Sequence, residues 1–232
     1  MKVEEREYIK KYWVGLMDGV GSIEVNHYRM KNLQYRLVLN VNDSSENMAM
    51  LLKIQQVIGG YLIKRKEKAL IAWTINNKMQ IEDVIKIFED YNLVTVRKRN
   101  QLQFLKENLK RNDVNWYLSE RKNKYKKSLI VSNIEEISYF NEWFSGFVEA
   151  TGSFCIRAQK EKYFRIAHRY DMPLLLNLII KFNITTKLRE QKNEQYAIEI
   201  YKKTLLEVLI THFEKYPLLG DKKNSLETFK TR

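Results

Sequence analysis

Residues 13–21 read Trp-Val-Gly-Leu-Met-Asp-Gly-Val-Gly, and the chain contains this pattern twice. The second copy, residues 144–152, reads Phe-Ser-Gly-Phe-Val-Glu-Ala-Thr-Gly, so that Gly146 follows Gly15 at an interval of 131 residues. Each copy is an apolar stretch with a small central residue, an acid three positions later, and a final glycine. The pattern predicts, in each half of the chain, a helix that ends near this glycine and leads into a strand.

A second signature supports an internal duplication. Residues 91–98 (Tyr-Asn-Leu-Val-Thr-Val-Arg-Lys) correspond to residues 216–223 (Tyr-Pro-Leu-Leu-Gly-Asp-Lys-Lys), and apolar residues follow both segments. Two signatures that recur at similar offsets argue against a chance repeat. Two related halves place equivalent groups around a pseudo-twofold axis, which suits a nearly symmetric partner such as a nucleic acid duplex.

Apolar periodicity predicts an α+β protein with the element order αββαββα in each half. In the first half we predict a helix at 8–19, strands at 22–28 and 33–41, a helix from Ser44, strands at 61–66 and 69–75, and a helix around 81–88. In the second half we predict strands at 154–159 and 163–168, a helix at 174–182, strands at 186–190 and 196–200, and a helix at 205–213. We place the first repeat at 1–105, a basic linker at 106–137, and the second repeat at 138–232.

The two motif copies resemble the LAGLIDADG motif of homing endonucleases and related intron maturases, and the correspondence covers nearly the whole chain. Gly15, Asp18 and Gly21 match the first glycine, the first acid and the final glycine of the motif, and the second copy matches in the same way. The resemblance implies two pseudo-symmetric repeats in one monomeric chain. It also implies that the motif helices pack together and that the strands form a β-saddle, with the helices on the opposite face.

The resemblance also places the metal-binding catalytic acid immediately before the final glycine. Here those positions hold Val20 and Thr151. Because Mg²⁺ takes oxygen ligands that include at least one carboxylate, these side chains are poor substitutes. We therefore predict that the chain is not an enzyme but a degenerate endonuclease with no metal and no cofactor. Asp18 and Glu149 are expected to have a structural role, accepting hydrogen bonds between the motif helices.

Composition agrees with a nucleic acid partner. The 232 residues carry a formal net charge of +13, and the isoelectric point is near 9.6. The single Cys155 excludes an intramolecular disulfide and a cysteine-based zinc site. The histidines lack metal-ligand spacing, and no apolar run is long enough to predict a membrane span.

In the resembling fold the open face of the saddle lies on the nucleic acid. Strand alternation directs Ile23 and Val25 towards the helices and leaves Glu24 exposed. Polar side chains with the same alternation are the predicted nucleic-acid contacts, because such side chains read base edges or bind phosphates. They are Asn26, Tyr28, Gln34, Arg36, Asn40, Lys64, Lys66, Arg157, Gln159, Arg165, Arg169, Lys187 and Arg189. Further contacts are predicted where the family keeps a lysine near its cleavage centre, namely at Arg97, Lys98, Lys222 and Lys223.

The basic linker allows two interpretations. Its lysines and arginines are interleaved with Trp116, Tyr117 and Tyr125. A run of charge is usually a solvated surface. Aromatic rings among the cations favour a nucleic-acid contact, because each base stacked on a ring contributes about 1–3 kcal/mol.

We predict a catalytically inactive RNA-binding protein that stabilises a folded organellar RNA. It would act as a group I intron maturase or as a ribosomal-RNA-binding subunit of a mitochondrial ribosome. The alternative is a sequence-specific double-stranded-DNA-binding protein, or a DNA endonuclease with a residual or displaced active site. The Lys, Asn, Ile and Tyr bias is typical of an AT-rich genome, and the acidic start leaves no room for an Arg-rich transit peptide. We therefore expect a mitochondrial, organelle-encoded protein.

Overall fold

Each half of the chain folds into the same succession of helices and strands. The computed structural model describes residues 1–125, 133–158 and 161–231. The first repeat consists of α1 (Val3–Val20), β1 (Ser22–Tyr28), β2 (Asn32–Asn42), α2 (Ser45–Ile58), β3 (Tyr61–Arg65), β4 (Leu70–Ile75), α3 (Lys78–Asp90) and α4 (Val96–Arg111). The short helix α5 (Val114–Glu120) follows it. The second repeat consists of α6 (Phe140–Thr151), β5 (Gly152–Ile156), β6 (Lys162–Arg169), α7 (Met172–Lys181), β7 (Arg189–Gln191), β8 (Gln195–Ile200), α8 (Lys203–Lys215) and α9 (Lys222–Thr231).

The strands form two four-stranded antiparallel sheets of identical topology. Their strand orders are β1-β2-β4-β3 and β5-β6-β8-β7. Alternation along each strand gives every sheet one face that packs on helices, carrying residues such as Leu37, Trp73 and Ile198, and one open face. This confirms the predicted α+β architecture of two αββαββα repeats.

The motif helices α1 and α6 pack against each other at backbone contact distance. A Cβ atom on Gly15 would lie 2.0 Å from the carbonyl oxygen of Trp143, and one on Gly146 would lie 1.9 Å from that of Tyr12. Real Cβ atoms do not approach oxygen so closely, and the obstacle is helix backbone that cannot move independently. Glycine is therefore required at both positions, and the seam between the repeats is the α1–α6 contact.

Local side chains explain where several helices begin. The Ser44 hydroxyl accepts a hydrogen bond from the Asn47 amide at 3.1 Å, and the Asn77 side chain accepts one from the Gln80 amide at 3.2 Å. Side-chain acceptors of this kind satisfy amides that have no partner within the helix. α2 ends at Gly59, whose φ of 93° favours glycine.

The structure differs from the sequence prediction in three segments. An additional helix, α4 or α9, follows each αββαββα unit, and α4 continues through the boundary we placed at 105/106. The predicted strand at 186–190 is wrong, because only Arg189–Gln191 pairs, while the Thr186 hydroxyl donates to the Glu199 carbonyl. The predicted strand at 154–159 ends at Ile156, and residue 159 lies outside the described residues.

No helix in the described part of the chain combines the length and the apolar character that crossing a membrane requires.

The seam gives a direct test of the packing. Gly15→Ala should lower the free energy of unfolding by about 3 kcal/mol or more, since the new methyl group overlaps the α6 backbone. Gly59→Ala is the matched control, because its methyl group meets open space and only the backbone conformation, with φ 93° and ψ −157°, is unfavourable, by about 1–3 kcal/mol. Gly15→Ala is expected to cost more than this control. Equal losses in urea unfolding would contradict the close approach of α1 and α6.

Candidate nucleic-acid interface

The open face of the first sheet gathers most of the polar residues predicted there. Directly opposed residues of an antiparallel pair share a face, and Glu24 lies opposite Arg36 while Asn26 lies opposite Gln34. The Arg36 guanidinium donates to the Glu24 carboxylate at 2.6 Å. Asn40, also exposed, lies further along the same face of β2. Tyr28 is exposed on that face at the end of β1. The structure brings these residues together, and their contact with nucleic acid stays a prediction.

The prediction for β3 assigns its side chains to the wrong faces of the sheet. Lys64 lies opposite the buried Ile71, on the helix side of the sheet, where it reaches the sheet edge and forms an ion pair with Asp43 at 3.0 Å. Lys66 lies in a single 3-10 turn beyond the strand. Residues 61, 63 and 65 include both apolar and cationic side chains, and so do residues 62 and 64. The period of two therefore does not indicate which of these sets faces the helices. The open face of β3 carries Tyr61, Ile63 and Arg65 instead.

The open face of the second sheet is rich in arginine. Arg165 lies opposite Glu199, and the two side chains are 3.8 Å apart. Arg189 reaches the same carboxylate at 3.2 Å, so Glu199 holds two guanidinium groups in place. Arg169 lies opposite Gln195 on this face, and the exposed Lys187 precedes β7. The remaining predicted residue of this face, Gln159, lies outside the described residues.

Sequence reasoning missed an aromatic group on this face. The rings of Tyr163 and Tyr201 stack at 5.2 Å, and the Arg157 guanidinium lies 5.0 and 5.3 Å from their centres. Tyr163 alternates in phase with Arg165, so the period of two already placed it on the open face. This group places a guanidinium next to two stacked aromatic rings on the open face.

The first motif acid joins the two repeats. The buried Asp18 carboxylate accepts hydrogen bonds from the Val94 amide at 2.8 Å, from the Thr95 amide at 3.0 Å and from the Thr95 hydroxyl at 2.7 Å. It also accepts one from the indole nitrogen of Trp143, across the seam, at 2.7 Å. Burial raises the pKa of Asp18, and these donors oppose the rise. The carboxylate therefore anchors the start of α4 to both motif helices.

The second motif acid makes the equivalent contacts. Glu149 accepts hydrogen bonds from the amides of Gly220 and Lys222, at 3.0 and 2.9 Å, and from the Tyr12 hydroxyl at 2.8 Å. Burial raises the pKa of Glu149, while the same donors lower it. Tyr12 and Trp143 each lie immediately before a motif copy, at equivalent positions of the two motif helices, so the arrangement is reciprocal. The prediction that both acids accept hydrogen bonds at the interface is confirmed by these contacts.

Two further acids brace one repeat against the other. The buried Asp171, at the start of α7, accepts a hydrogen bond from the Val96 amide at the start of α4, at 2.7 Å. Asp221, next to α9, accepts one from the Asn47 side chain of α2 at 2.7 Å and another from the Ser44 hydroxyl. Burial raises the pKa of Asp171 to about 6. These contacts link the last helix of each repeat to the middle helix of the other.

The two positions expected to hold metal do not fit Mg²⁺. Val20 offers no oxygen, and the Thr151 hydroxyl, which donates to the Phe147 carbonyl at 2.6 Å, offers a neutral oxygen in place of a carboxylate. Within residues 1–125, 133–158 and 161–231 no group of three or more His, Cys, Asp or Glu side chains could hold a metal ion. Neither position therefore supplies the carboxylate that the family motif has there.

Two clefts with different linings flank the end of the seam, and Val20 lines both. One, of about 330 Å³, is lined by Thr151, Arg97, Lys98, His168 and Arg169, among others. Lys98 is half-buried and donates to the Gly21 carbonyl, and burial lowers its pKa. Burial lowers the pKa of His168 to about 4, so its imidazole is neutral at physiological pH. This cleft is suited to an anion.

The second cleft, of about 230 Å³, is lined mainly by oxygen-bearing side chains and by Lys222. The oxygen-bearing residues include Asn40, Asn42, Asn47, Glu149 and Asp221. Of the other predicted basic residues, Lys222 is half-buried and Lys223 is exposed at the start of α9. The structure thus brings Arg97 and Lys98 to one cleft and Lys222 to the other, with Lys223 outside both.

This fold and these motif contacts define the LAGLIDADG class of protein. The family model described as LAGLIDADG endonuclease matches residues 13–108 and 144–231. The chain belongs to this family.

Whole-chain relatives carry a related name. The chain is 50% identical over 240 residues to the "Probable intron-encoded endonuclease aI3" of Dictyostelium citrinum, which covers 99% of both chains. It is 36% identical to the protein of the same name from Debaryomyces hansenii, with 98% of this chain but 38% of that relative covered. It is 32% identical to the one from Kluyveromyces lactis, covering 93% of this chain and 63% of that relative.

Solved structures share the fold. The I-LtrWI LAGLIDADG homing endonuclease bound to target DNA superposes with a TM-score of 0.76 at 22% identity, over 97% of this chain and 89% of that chain. The LAGLIDADG meganuclease I-AabMI bound to uncleaved DNA gives a TM-score of 0.75 at 24% identity, over 96% and 89%.

The comparisons contradict our prediction that the chain is not an enzyme. That prediction rested on Val20 and Thr151 alone, whereas the relatives that match along the whole chain are named endonucleases. Val20 and Thr151 stand where the family motif has acids. This replacement alone does not determine whether the protein has enzymatic activity.

The pKa of Asp171 predicts a dependence of stability on pH. Between its usual value of 3.8 and about 6, the folded state holds a proton that the unfolded state has lost. The contribution of Asp171 to the unfolding free energy therefore falls as pH rises through this window. Asp171→Asn keeps an acceptor for the Val96 amide but cannot ionise. In urea unfolding, the stability of the variant relative to wild type should rise from pH 4 to 6 and then stay level. A constant difference across this range would show that burial does not raise this pKa.

Proposed function

We propose that the chain is an intron-encoded endonuclease that binds double-stranded DNA across the open faces of its two sheets. The observation that carries the proposal is the placement of arginine, asparagine and glutamine side chains on both open faces, among them Arg36, Arg165 and Arg169. The names of the whole-chain relatives, and the DNA bound to the structures of the same fold, support it.

The residue types suit a duplex. Guanidinium and amide groups form paired hydrogen bonds with base edges, and guanidinium groups also bind phosphates. Gln34 and Asn26 lie side by side on the first sheet, and Arg169 and Gln195 do so on the second. Two sheets related by the pseudo-twofold axis of the seam can each take one half of a nearly symmetric site.

DNA now replaces RNA as the favoured partner. The resemblance to maturases, which bind folded intron RNA and tolerate loss of the acids, favours RNA, whereas the solved structures of the same fold are bound to DNA and the whole-chain relatives are named endonucleases. The maturase and ribosomal roles have no separate support in the contacts of this chain. The DNA-binding endonuclease is therefore the proposed function.

Cleavage by this chain has to use groups other than those at positions 20 and 151. The cationic cleft beside Thr151 supplies Lys98, Arg97 and Arg169. Hydrolysis adds a water oxygen to phosphorus, breaks the bond to the leaving sugar oxygen and passes a proton to that oxygen. Preplaced cations stabilise the negative charge that grows on the phosphoryl oxygens during this step.

A mitochondrial location accompanies the proposal. The chain is 30% identical over 122 residues, about half of its length, to a Saccharomyces cerevisiae protein named "Uncharacterized mitochondrial protein RF1". The AT-rich coding bias of the sequence agrees with an organellar gene.

The proposal predicts which arginines determine affinity. Arg36→Ala/Arg165→Ala removes one cation from each open face and should weaken binding to a randomised duplex pool about tenfold or more at moderate salt. The slope of log affinity against log salt should fall by about 2, since two phosphate contacts are lost. Fluorescence anisotropy across a KCl series measures both quantities.

Lys53→Ala/Lys86→Ala is the matched control. It also removes two positive charges, here from lysines on the helices α2 and α3, which cover the opposite side of the sheet. The control should keep nearly full affinity. Equal effects of the two double variants, or a larger loss for single-stranded RNA than for duplex DNA, would contradict the proposed interface.

A further inference from the structure

We propose that α5 and its flanking turns form an additional contact surface for the DNA backbone beside the first sheet. We call this segment, residues 112–125, the α5 wall. The inference rests on the proposed function, because it takes duplex DNA as the ligand of the adjacent open face. It concerns a segment that lies outside both sheets.

The α5 wall lies beside the strand ends of the first sheet, next to the open face. A cleft of about 820 Å³ separates it from the end of β1 and the start of β2, at the side of the sheet away from Gly21. On the sheet side this cleft is lined by Asn26, Gln34 and Arg36 of the open face and by residues of the helix-facing side of the same strands, and Tyr117 and Arg121 lie on the wall side. A duplex on the open face therefore reaches the wall as it leaves the first sheet.

The base of the wall is fixed to the first repeat. The buried Tyr117 ring packs edge-on against His27 of β1, with 5.8 Å between ring centres. The Tyr35 hydroxyl of β2 donates to the Asn108 carbonyl of α4 at 3.0 Å. Asp113 begins α5 by accepting a hydrogen bond from the Asn115 amide at 2.8 Å. A surface that is already ordered loses little conformational entropy when a ligand binds.

The far end of the wall is anchored near the seam. The Arg97 guanidinium lies 4.0 Å from the ring centre of Tyr125 and 4.2 Å from that of Tyr170 in the second repeat. The Tyr125 hydroxyl accepts a hydrogen bond from the Gln101 side chain at 2.9 Å. The basic residues between these two anchors are therefore presented in a defined position.

The charge and the rings favour a phosphate backbone over stacked bases. Arg121 and Lys122 are exposed, and Lys124 lies next to Tyr125. The rings of Trp116 and Phe104 stack with 5.7 Å between their centres, and the Arg111 guanidinium lies 4.7 Å from the centre of the Trp116 ring. Both partners compete with a base for the indole, which is half-buried. Cations without a free stacking surface suit the outside of a duplex.

The test compares two charge-matched double variants of the full chain. The probe is a labelled duplex pool of about 40 random base pairs, titrated across a KCl series. Arg121→Ala/Lys122→Ala should reduce the slope of log affinity against log salt by about 1 to 2, because phosphate contacts are lost. Lys53→Ala/Lys86→Ala should leave the slope close to wild type. Thermal unfolding of each variant checks that the fold is intact.

The outcomes separate this inference from the proposed function. If Arg36→Ala/Arg165→Ala weakens binding while Arg121→Ala/Lys122→Ala behaves like the control, the α5 wall is overturned and the interface on the sheets stands. If Arg121→Ala/Lys122→Ala loses affinity only for a single-stranded RNA pool, the wall is overturned as a duplex contact. A wild-type chain that does not bind the duplex pool overturns both.

Discussion

The rest of the structure depends on the backbone contact between α1 and α6. A methyl group at Gly15 or Gly146 would lie within 2.0 or 1.9 Å of a carbonyl oxygen of the other helix. The contact is reciprocal, since each glycine meets the residue three positions before the other. It fixes the two repeats as a pseudo-symmetric pair. The position of each sheet, and hence the spacing of the two open faces, follows from it.

The motif acids stabilise this contact, and both of their carboxylates are occupied by hydrogen bonds. Asp18 and Glu149 each bind the start of the last helix of their own repeat and an aromatic side chain of the opposite motif helix. The structural part of the motif is thus retained, while the positions before the final glycine carry Val20 and Thr151. Membership of an endonuclease family is consistent with the missing acids if the groups that act on DNA lie in the cationic cleft beside positions 20 and 151.

Much of the fold could be predicted from the sequence, because glycine spacing and strand alternation are local signals. The β1–β2 hairpin follows from strand alternation, and the start of α2 follows from the capping side chain of Ser44. α4 was hidden because its exposed lysines and arginines resemble a linker, and only Phe104 and Leu105 mark its buried side. The exposed face of β3 was mispredicted because residues 61–65 fit both alternations. The links between Asp171 and Val96 and between Arg97 and Tyr170 join distant parts of the chain, and no local pattern reports them.

The most direct measurement is cleavage of a duplex that the wild-type chain itself selects from a randomised pool. The labelled duplex would be incubated in Mg²⁺ with wild type, with Lys98→Ala and with Val20→Asp/Thr151→Asp. If displaced groups carry the chemistry, wild type cleaves the duplex and Lys98→Ala is at least about tenfold slower. If wild type does not cleave while Val20→Asp/Thr151→Asp does, the chemistry requires acids at positions 20 and 151, and the displaced site is contradicted.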